Sequence, residues 1–257
     1  MQLYPLELRV KQYGEEADRV SAICMNLARS LPEFRPALVC NDGTFVVVGA
    51  GPSLPHFVED IRAERGKGRP ICSVKGSHDF LCEHGIEPDL FVSCDPRARV
   101  ENVARKNQNT IYLIASRCST ELFDHLTGEK VVMWHSWNDD GENKALAGRF
   151  CVGGGTTSGM RAIHLGYCMG FRNFSLHGFD SCLAEDGKTK RFTGEQAGQT
   201  VEIVVGQKQF ICNGALASQA QEFQLLYQVF PDASFHSSGH GLISEIILER
   251  ARQGKRV

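Results

Sequence analysis

Residues 44–54 read Thr-Phe-Val-Val-Val-Gly-Ala-Gly-Pro-Ser-Leu, an apolar run that passes directly into a glycine turn. Residues 45–48 are four consecutive apolar side chains, three of them β-branched, which predicts a short strand buried on both faces. The chain then has helical spacing, with apolar side chains at Leu54, Phe57, Val58 and Ile61. Strand, glycine turn and helix predict an α/β fold: a Rossmann-like, mostly parallel sheet of six or seven strands with helices on both faces.

The glycine turn is a candidate phosphate site. Gly49 and Gly51 let the backbone approach a ligand closely, Pro52 suits a first helical turn, and Ser53 adds a hydroxyl. A helix N-terminus attracts anions through its N–H groups and its dipole, so these four residues are predicted to bind a nucleotide. Leu54 replaces the third glycine of the dinucleotide fingerprint and no Walker lysine follows. A tight turn that binds nothing is therefore the alternative interpretation.

Length and apolar spacing suggest two segments. Residues 1–40 are predicted to be a helical N-terminal extension and residues 41–257 one nucleotide-binding domain, because 257 residues can bury a single large core. The extension carries an apolar stripe that must cover the sheet's edge or a second copy of the protein, at Val20, Ile23, Cys24, Leu27 and Leu31.

Charge and composition exclude several classes of protein. A net charge of −2 argues against a general nucleic-acid binder. No apolar run approaches the roughly 18 residues that cross a bilayer, and the N-terminus lacks a signal peptide's apolar core, so a cytoplasmic location is expected. The ten cysteines include no C-x-x-C pair, which excludes the usual zinc spacings and predicts reduced, mostly buried thiols.

Two aspartates follow predicted strands. Asp95 ends the strand over 90–94, and Asp180 follows the strand over 171–177 after Gly178. Carboxylates at the C-terminal ends of parallel strands lie in the crevice where open α/β sheets bind ligands. Both are therefore candidate catalytic residues, with Asp95 also a candidate metal ligand. Asp95 followed by Pro96 also matches the start of a helix, so a capping role is the alternative interpretation.

A second glycine-rich stretch, residues 152–159, opens a helix that is largely buried, with apolar positions from Met160 to Cys168. Its N-terminus presents glycines and hydroxyls, a second set of donors suited to phosphate. We predict that it binds the nucleotide together with Gly178, through Gly155, Thr156, Thr157, Ser158 and Gly159.

These motifs resemble those of one protein family. In order and spacing, the chain is similar to the 6-hydroxymethylpterin diphosphokinase MptE-like family and to the related family 42 sialyltransferases of bacteria, over about residues 43–250. The shared stretches are Gly49-Ala-Gly-Pro-Ser-Leu54, Ile86-Glu-Pro-Asp89 leading to Ser93-Cys-Asp95, Thr157-Ser-Gly159 and Leu176-His-Gly-Phe-Asp180.

The resemblance implies a nucleotide ligand. In the sialyltransferases the two turns hold the CMP part of the donor, which carries over to Gly51, Pro52, Ser53 and residues 157–159. In the diphosphokinases a nucleoside triphosphate is used with Mg²⁺, for which Asp95 and Asp180 are the natural partners. The sialyltransferase pattern is incomplete here, because residues 210–217 contain no histidine and Asp95 replaces an asparagine.

Three further features are candidates for the site. His236 and His240 lie in a loop before the last helix and are the histidines available for acid–base work, with His240 preferred. The polar segment 183–209 is a lid or a solvated loop, and its cations Lys188, Lys190 and Arg191 suit phosphates. Trp134 and Trp137 could stack on a base or pack at the rim.

The sequence thus predicts a transferase that uses a nucleotide, of ATP or CMP type, and an unknown small-molecule acceptor. A diphosphokinase-like activity with Mg²⁺ at Asp95 is the main hypothesis. A CMP-sugar glycosyltransferase and a non-catalytic nucleotide-binding protein of the same fold are the alternatives.

Overall fold

The computed structural model describes residues 14–97 and 99–257, so residues 1–13 of the predicted N-terminal extension lie outside the described part. The helices are α1 Glu16–Leu27, α2 Val58–Gly66, α3 Ser77–Glu83, α4 Thr120–His125, α5 Asp140–Ala145, α6 Ser158–Cys168, α7 Gly214–Val229 and α8 Leu242–Arg252. The strands are β1 Asn41–Val48, β2 Ile71–Val74, β3 Leu90–Ser93, β4 Ile111–Ala115, β5 Lys130–Ser136, β6 Cys151–Val152, β7 Phe171–His177, β8 Thr200–Val205, β9 Lys208–Asn213 and β10 Ser234–Ser237.

In the described residues eight strands form one parallel sheet, in the order β10-β7-β1-β2-β3-β4-β5-β6. This confirms the predicted α/β fold, although the sheet has eight strands rather than six or seven. Sequence patterns missed β6 because it has two residues and β10 because it is four residues long with one apolar side chain, Phe235. The chain steps outward from β1 to β6 and then returns through α6 to β7 on the other side of β1. Ligands of open α/β sheets bind at such a reversal of strand order.

The core lies on both faces of the sheet. Phe45 and Val47 of β1 belong to a large cluster with α6, whereas Val46 and Val48 face a second cluster with α2 and α3. This alternation follows from the period of two in a strand, and it explains why four consecutive residues are apolar. All four are fully buried, so the predicted central strand is confirmed.

The N-terminal helix α1 is held mainly by polar contacts. The guanidinium of Arg19 donates to Glu142 Oε1 at 2.6 Å and to Asp139 Oδ2 at 2.5 Å, both near α5. The Asn26 amide donates to the carbonyl oxygens of Ser116 and Cys118. Of the predicted apolar stripe only Ile23 is buried and Cys24 is exposed, so that prediction was wrong for Cys24.

The segment after β3 also departs from expectation. In the described residues no helix begins at Pro96, and the next helical element is a single 3-10 turn, Val100–Val103. The helix-cap interpretation of Asp95 was therefore wrong. The helix after the glycine turn begins with a 3-10 turn, Leu54–Phe57, before α2. No helix in residues 14–97 and 99–257 is long and apolar enough to cross a membrane.

A first prediction concerns the contact between α6 and the sheet. A Cβ added at Gly166 would lie 2.7 Å from Phe45 Cδ1 and 2.9 Å from Phe174 Cε1, below any normal contact distance. We expect Gly166→Ala to lower the free energy of unfolding by about 1–3 kcal/mol through overpacking. Chemical denaturation measures this. Gly66→Ala is the matched control, since nothing lies within 4 Å of its Cβ, and an equal loss there would contradict the account.

A second prediction concerns the buried ion pairs of α1. Glu142 has no exposed surface and pairs with Arg19 and Arg117. We expect Arg19→Met to destabilise the protein by roughly 3 kcal/mol, because it removes one partner of a buried carboxylate. Arg62→Met, which removes an exposed ion pair with Glu59 at 3.4 Å, should cost under about 1 kcal/mol in the same denaturation assay. Equal losses would show that α1 is not anchored by this pair.

Candidate functional site

The C-terminal ends of seven strands meet in one cavity of about 580 Å³. Its walls come from the segments that follow β1 to β7, at 49–52, 74–75, 94–97, 117, 136–139, 154–159 and 178–182. The cavity therefore lies across the reversal of strand order between β1 and β7, where the fold is expected to bind ligands.

The structure brings most of the predicted site residues together. The two predicted aspartates, Asp95 and Asp180, line the cavity. So do all the predicted nucleotide-binding residues except Ser53, which lies beside it: Gly49, Gly51, Pro52, Gly155, Thr156, Thr157, Ser158, Gly159 and Gly178. Neither histidine lines it. His240 is exposed in its loop, and His236 lines a separate hollow of about 300 Å³ beside α2. A catalytic role for His240 has no support from this geometry.

The first glycine turn uses its hydrogen-bond donors within the protein. The backbone N–H of Ser53 donates to Asp180 Oδ2 at 3.0 Å, and its hydroxyl donates to Asp180 Oδ1 at 2.6 Å. The N–H of Gly51 donates to the carbonyl oxygen of Gly178 at 2.9 Å. These donors therefore already have partners within the protein, because β1 and β7 are neighbours and their turns bind each other. Nucleotide binding by Gly49, Gly51, Pro52 and Ser53 stays a prediction.

This packing also explains the two glycines. A Cβ at Gly51 would lie 2.2 Å from Asp180 Oδ2, and one at Gly49 would lie 2.5 Å from the Gly178 oxygen. Both positions must lack a side chain so that the turns can touch. A larger residue at Gly51 would consequently disturb the fold itself, with or without a ligand.

The second glycine stretch is built in a similar way. Thr157 caps α6, its Oγ1 accepting from the N–H of Met160 at 3.2 Å. The N–H and hydroxyl of Thr156 donate to the carboxylate of Glu222 on α7. Ser158 Oγ accepts from the N–H of Cys94 at 3.3 Å, which joins this turn to the end of β3. The donors of each turn thus bind a carboxylate of the protein itself, Asp180 at the first turn and Glu222 at the second. Burial raises the pKa of both carboxyl groups.

Cationic side chains outnumber acidic ones around the cavity. The acidic residues are Asp95, Asp139, Asp180, Glu195 and Glu222. The cationic residues are Lys75, Arg97, Arg99, Arg117, Arg161, Lys190 and Arg191. The cavity therefore carries a positive excess in a chain whose net charge is −2. Such local fields concentrate anionic ligands.

Arg161 is the most deeply placed of these cations. It is 6% exposed and donates to the Val152 carbonyl at 2.7 Å and to Asn138 Oδ1 at 3.0 Å. Burial lowers its pKa, and in the described residues no carboxylate forms an ion pair with it. Glu222 and Glu142 oppose this lowering through charge attraction, but in the described residues neither forms an ion pair with the guanidinium, which therefore favours an anion in the cavity.

Asp95 is less available than the sequence suggested. Arg97 donates to both of its oxygens, from Nε at 2.8 Å and from Nη2 at 2.6 Å, and the Arg97 backbone N–H donates as well. Among the described residues no three His, Cys, Asp or Glu side chains gather into a metal cluster. Asp95 as a metal ligand stays a prediction that requires Arg97 to release it.

Two of the three cations in the predicted lid, residues 183–209, line the cavity. Lys190 and Arg191 line the cavity and both pair with Glu195 at 2.7 Å, whereas Lys188 is exposed and outside it. Phe192 packs on Phe80 of α3, with ring centroids 4.9 Å apart. The end of segment 183–209, from residue 200 onward, belongs to a separate antiparallel hairpin that β8 forms with β9. Movement of this segment stays a prediction.

The two tryptophans differ in their exposure to solvent. Trp134 is fully buried in β5, where its Nε1 donates to the Leu113 carbonyl at 3.1 Å, so the stacking hypothesis was wrong for it. Trp137 is 61% exposed and lines the cavity, where it is placed to contact a base.

Sequence reasoning missed five of the seven cavity cations: Lys75, Arg97, Arg99, Arg117 and Arg161. Lys75 directly follows β2, and Arg117 lies two residues after β4, so the strand-end rule that found Asp95 applied to them as well. Arg161 lies in the sequence Gly-Met-Arg-Ala-Ile-His-Leu of a buried helix. A charged residue in such a context is itself a signal, because arginine is rarely buried without a role.

One of the matching solved structures shows the same fold in a glycosyltransferase. The MAf glycosyltransferase from Magnetospirillum magneticum AMB-1 matches with a TM-score of 0.68 and 13% identity, over 95% of this chain and 43% of that one. The chain thus spans less than half the length of that enzyme. Two mammalian sialyltransferase structures, one in complex with Gal-beta-1-3GalNAc-ortho-nitrophenol, give TM-scores of 0.44 and 0.47 at 12% identity. They are matched over 87% and 91% of this chain and 86% and 82% of theirs.

At these identities the likeness shows the fold alone. No curated protein sequence matches the chain significantly. The family model for 6-hydroxymethylpterin diphosphokinase MptE-like proteins matches residues 21–186, a stretch that contains both glycine turns and both aspartates. The match covers more than half of the chain and confirms the resemblance drawn from the motifs: the protein belongs to the MptE-like family.

Proposed function

We propose that the protein is a nucleotide-dependent transferase that moves a phosphoryl or pyrophosphoryl group to a small-molecule acceptor, as the name of its family suggests. The observation that carries the proposal is the cationic cavity at the reversal of strand order, with Arg161 buried in its wall without a carboxylate partner. Several phosphates with their negative charges would balance this field better than a neutral ligand would.

The nucleotide is proposed to lie between the 49–54 turn and the 153–159 turn. Trp137 lies on the β5 side of the cavity and can pack against the base. Arg161 and the lid cations are the natural partners of the phosphates, since charge-assisted bonds from arginine are strong and directional. Asp180 and Glu222 lie among the donors of the turns, so phosphates that reach those donors must compete with a carboxylate.

In this mechanism the protein positions phosphates and offsets charge. Phosphoryl transfer needs little covalent chemistry from the enzyme, so fixed cations around the cavity can supply most of the stabilisation. Asp180 is the best-placed carboxylate to accept the acceptor's proton, because burial raises its pKa and it lines the cavity. Ser53 orients that carboxylate through its two hydrogen bonds.

A non-catalytic nucleotide-binding protein is the second candidate. One observation favours it: Asp95 is held by Arg97, Asp180 by Ser53, and neither His236 nor His240 reaches the cavity. A binding protein needs the cations but no group free to move a proton. Turnover separates the two candidates, whereas binding alone does not.

A third prediction tests the proposal through the lid. The double variant Lys190→Ala/Arg191→Ala should weaken triphosphate binding at least tenfold and spare monophosphate binding, because these cations lie over the cavity. Calorimetry with ATP, GTP, CTP, CMP and CMP-sialic acid, with and without Mg²⁺, measures the effect.

Lys188→Ala is the matched control, since Lys188 belongs to the same segment but is exposed outside the cavity. It should bind within about twofold of the wild type. If none of the five ligands binds the wild type, the proposed function is wrong. If CMP-sialic acid binds most tightly, a CMP-sugar transferase replaces the diphosphokinase.

A further inference from the structure

Lys75 has an unusual backbone conformation. It has a φ of +54°, and only Ser30, Lys75 and Ser181 among the described non-glycine residues have a positive φ. The left-handed region is unfavourable for a lysine, whose Cβ approaches the following carbonyl oxygen. Lys75 and Ser181 both line the cavity. Strained residues that gather at one cavity are a sign of function, because the strain persists only where the surroundings hold it.

The Lys75 side chain differs from the other cations of the cavity. The other six each form a hydrogen bond or ion pair, for example Arg99 with Glu101, Arg117 with Glu142 and Arg191 with Glu195. In the described part of the chain the Lys75 ammonium has neither a hydrogen bond nor a carboxylate within ion-pair distance. Its residue is only partly exposed, and it lies in the cavity wall directly after β2.

The charged neighbours of Lys75 come from two elements. They are Arg191 and Glu195 in the segment that covers the cavity, and Cys94, Asp95 and Arg97 after β3. Burial lowers the pKa of the Lys75 amine, and Arg191 and Arg97 lower it further, while Asp95 and Cys94 oppose them. An ammonium between two guanidinium groups gains most from an anion with several charges.

We propose that Lys75 is a substrate-binding residue that pairs with the donor's phosphates between Arg97 and Arg191. Lys75 lines the cavity, and in the described residues its ammonium has no hydrogen-bond or ion-pair partner there. This inference rests on the proposed function, because it requires that a phosphate-bearing ligand enters this cavity. It adds that the ligand is a diphosphate or triphosphate, since a monophosphate offers too few charges for three cations.

Three substitutions separate a binding role from a structural one. Lys75→Met should weaken triphosphate binding at least tenfold and leave CMP binding within about threefold. Lys75→Gly should weaken it equally and raise the melting temperature, since glycine adopts a positive φ without strain. Lys75→Arg should retain most of the affinity. Lys130→Met, an exposed lysine at the start of β5 and the other end of the sheet, is the control and should change nothing.

The pH dependence of the affinity is a readout that a purely structural role of Lys75 would not change. An incoming phosphate raises the lowered pKa of Lys75, so binding takes up a proton and wild-type affinity falls as the pH rises from 8 to 10. In this range ATP is fully ionised, and the measurement uses ATP without Mg²⁺. Lys75→Arg should remove this slope, because arginine stays charged.

The outcomes are distinct. A wild type that binds no triphosphate contradicts the proposed function. A wild type that binds while Lys75→Met binds equally well, or while Lys75→Arg keeps the full pH slope, overturns the role of Lys75 alone. A melting temperature that falls in Lys75→Gly, together with unchanged affinity per folded molecule, would make Lys75 a structural residue. The proposal is supported if Lys75→Met and Lys75→Gly each lose triphosphate affinity at least tenfold and Lys75→Arg loses the pH dependence of that affinity.

Discussion

The contact between the turn after β1 and the turn after β7 organises the cavity. Asp180 accepts two hydrogen bonds from Ser53, and Gly51 leaves room for its carboxylate. Because β1 and β7 are the strands between which the chain reverses its direction across the sheet, this contact fixes the position of the crevice. The other walls follow from it, since each later strand adds its C-terminal segment to the same edge.

The distribution of charge distinguishes this cavity from a structural crevice. Away from the cavity, buried carboxylates are paired, for example Glu245 with Lys208 and Arg252. At the cavity Arg161 has only neutral partners and Lys75 forms no ion pair in the described residues. Meanwhile Asp180 and Glu222 are carboxylates whose pKa burial raises. The cations without ion-pair partners are unfavourable for stability alone and become favourable when an anion binds.

Much of the architecture could be predicted from the sequence. Four buried residues, 45–48, and the glycines that follow identified the central strand and its turn, because only a strand covered on both faces is apolar at every position. The strand-end rule placed Asp95 and Asp180 in one cavity. Their partners could not be predicted, since the bonds from Arg97 and Ser53 depend on how loops pack. The same limit applies to His240, which follows strand β10 by three residues in the sequence but does not line the cavity.

The structure of the protein with a non-hydrolysable nucleoside triphosphate would test the central claim most directly. The account predicts that the phosphates lie in the cavity between the two glycine turns, with their oxygens within about 3 Å of Arg161 and Lys75. It also predicts that the base lies near Trp137. A triphosphate bound elsewhere, for instance in the hollow beside α2 that is lined by Glu64 and His177, would contradict it.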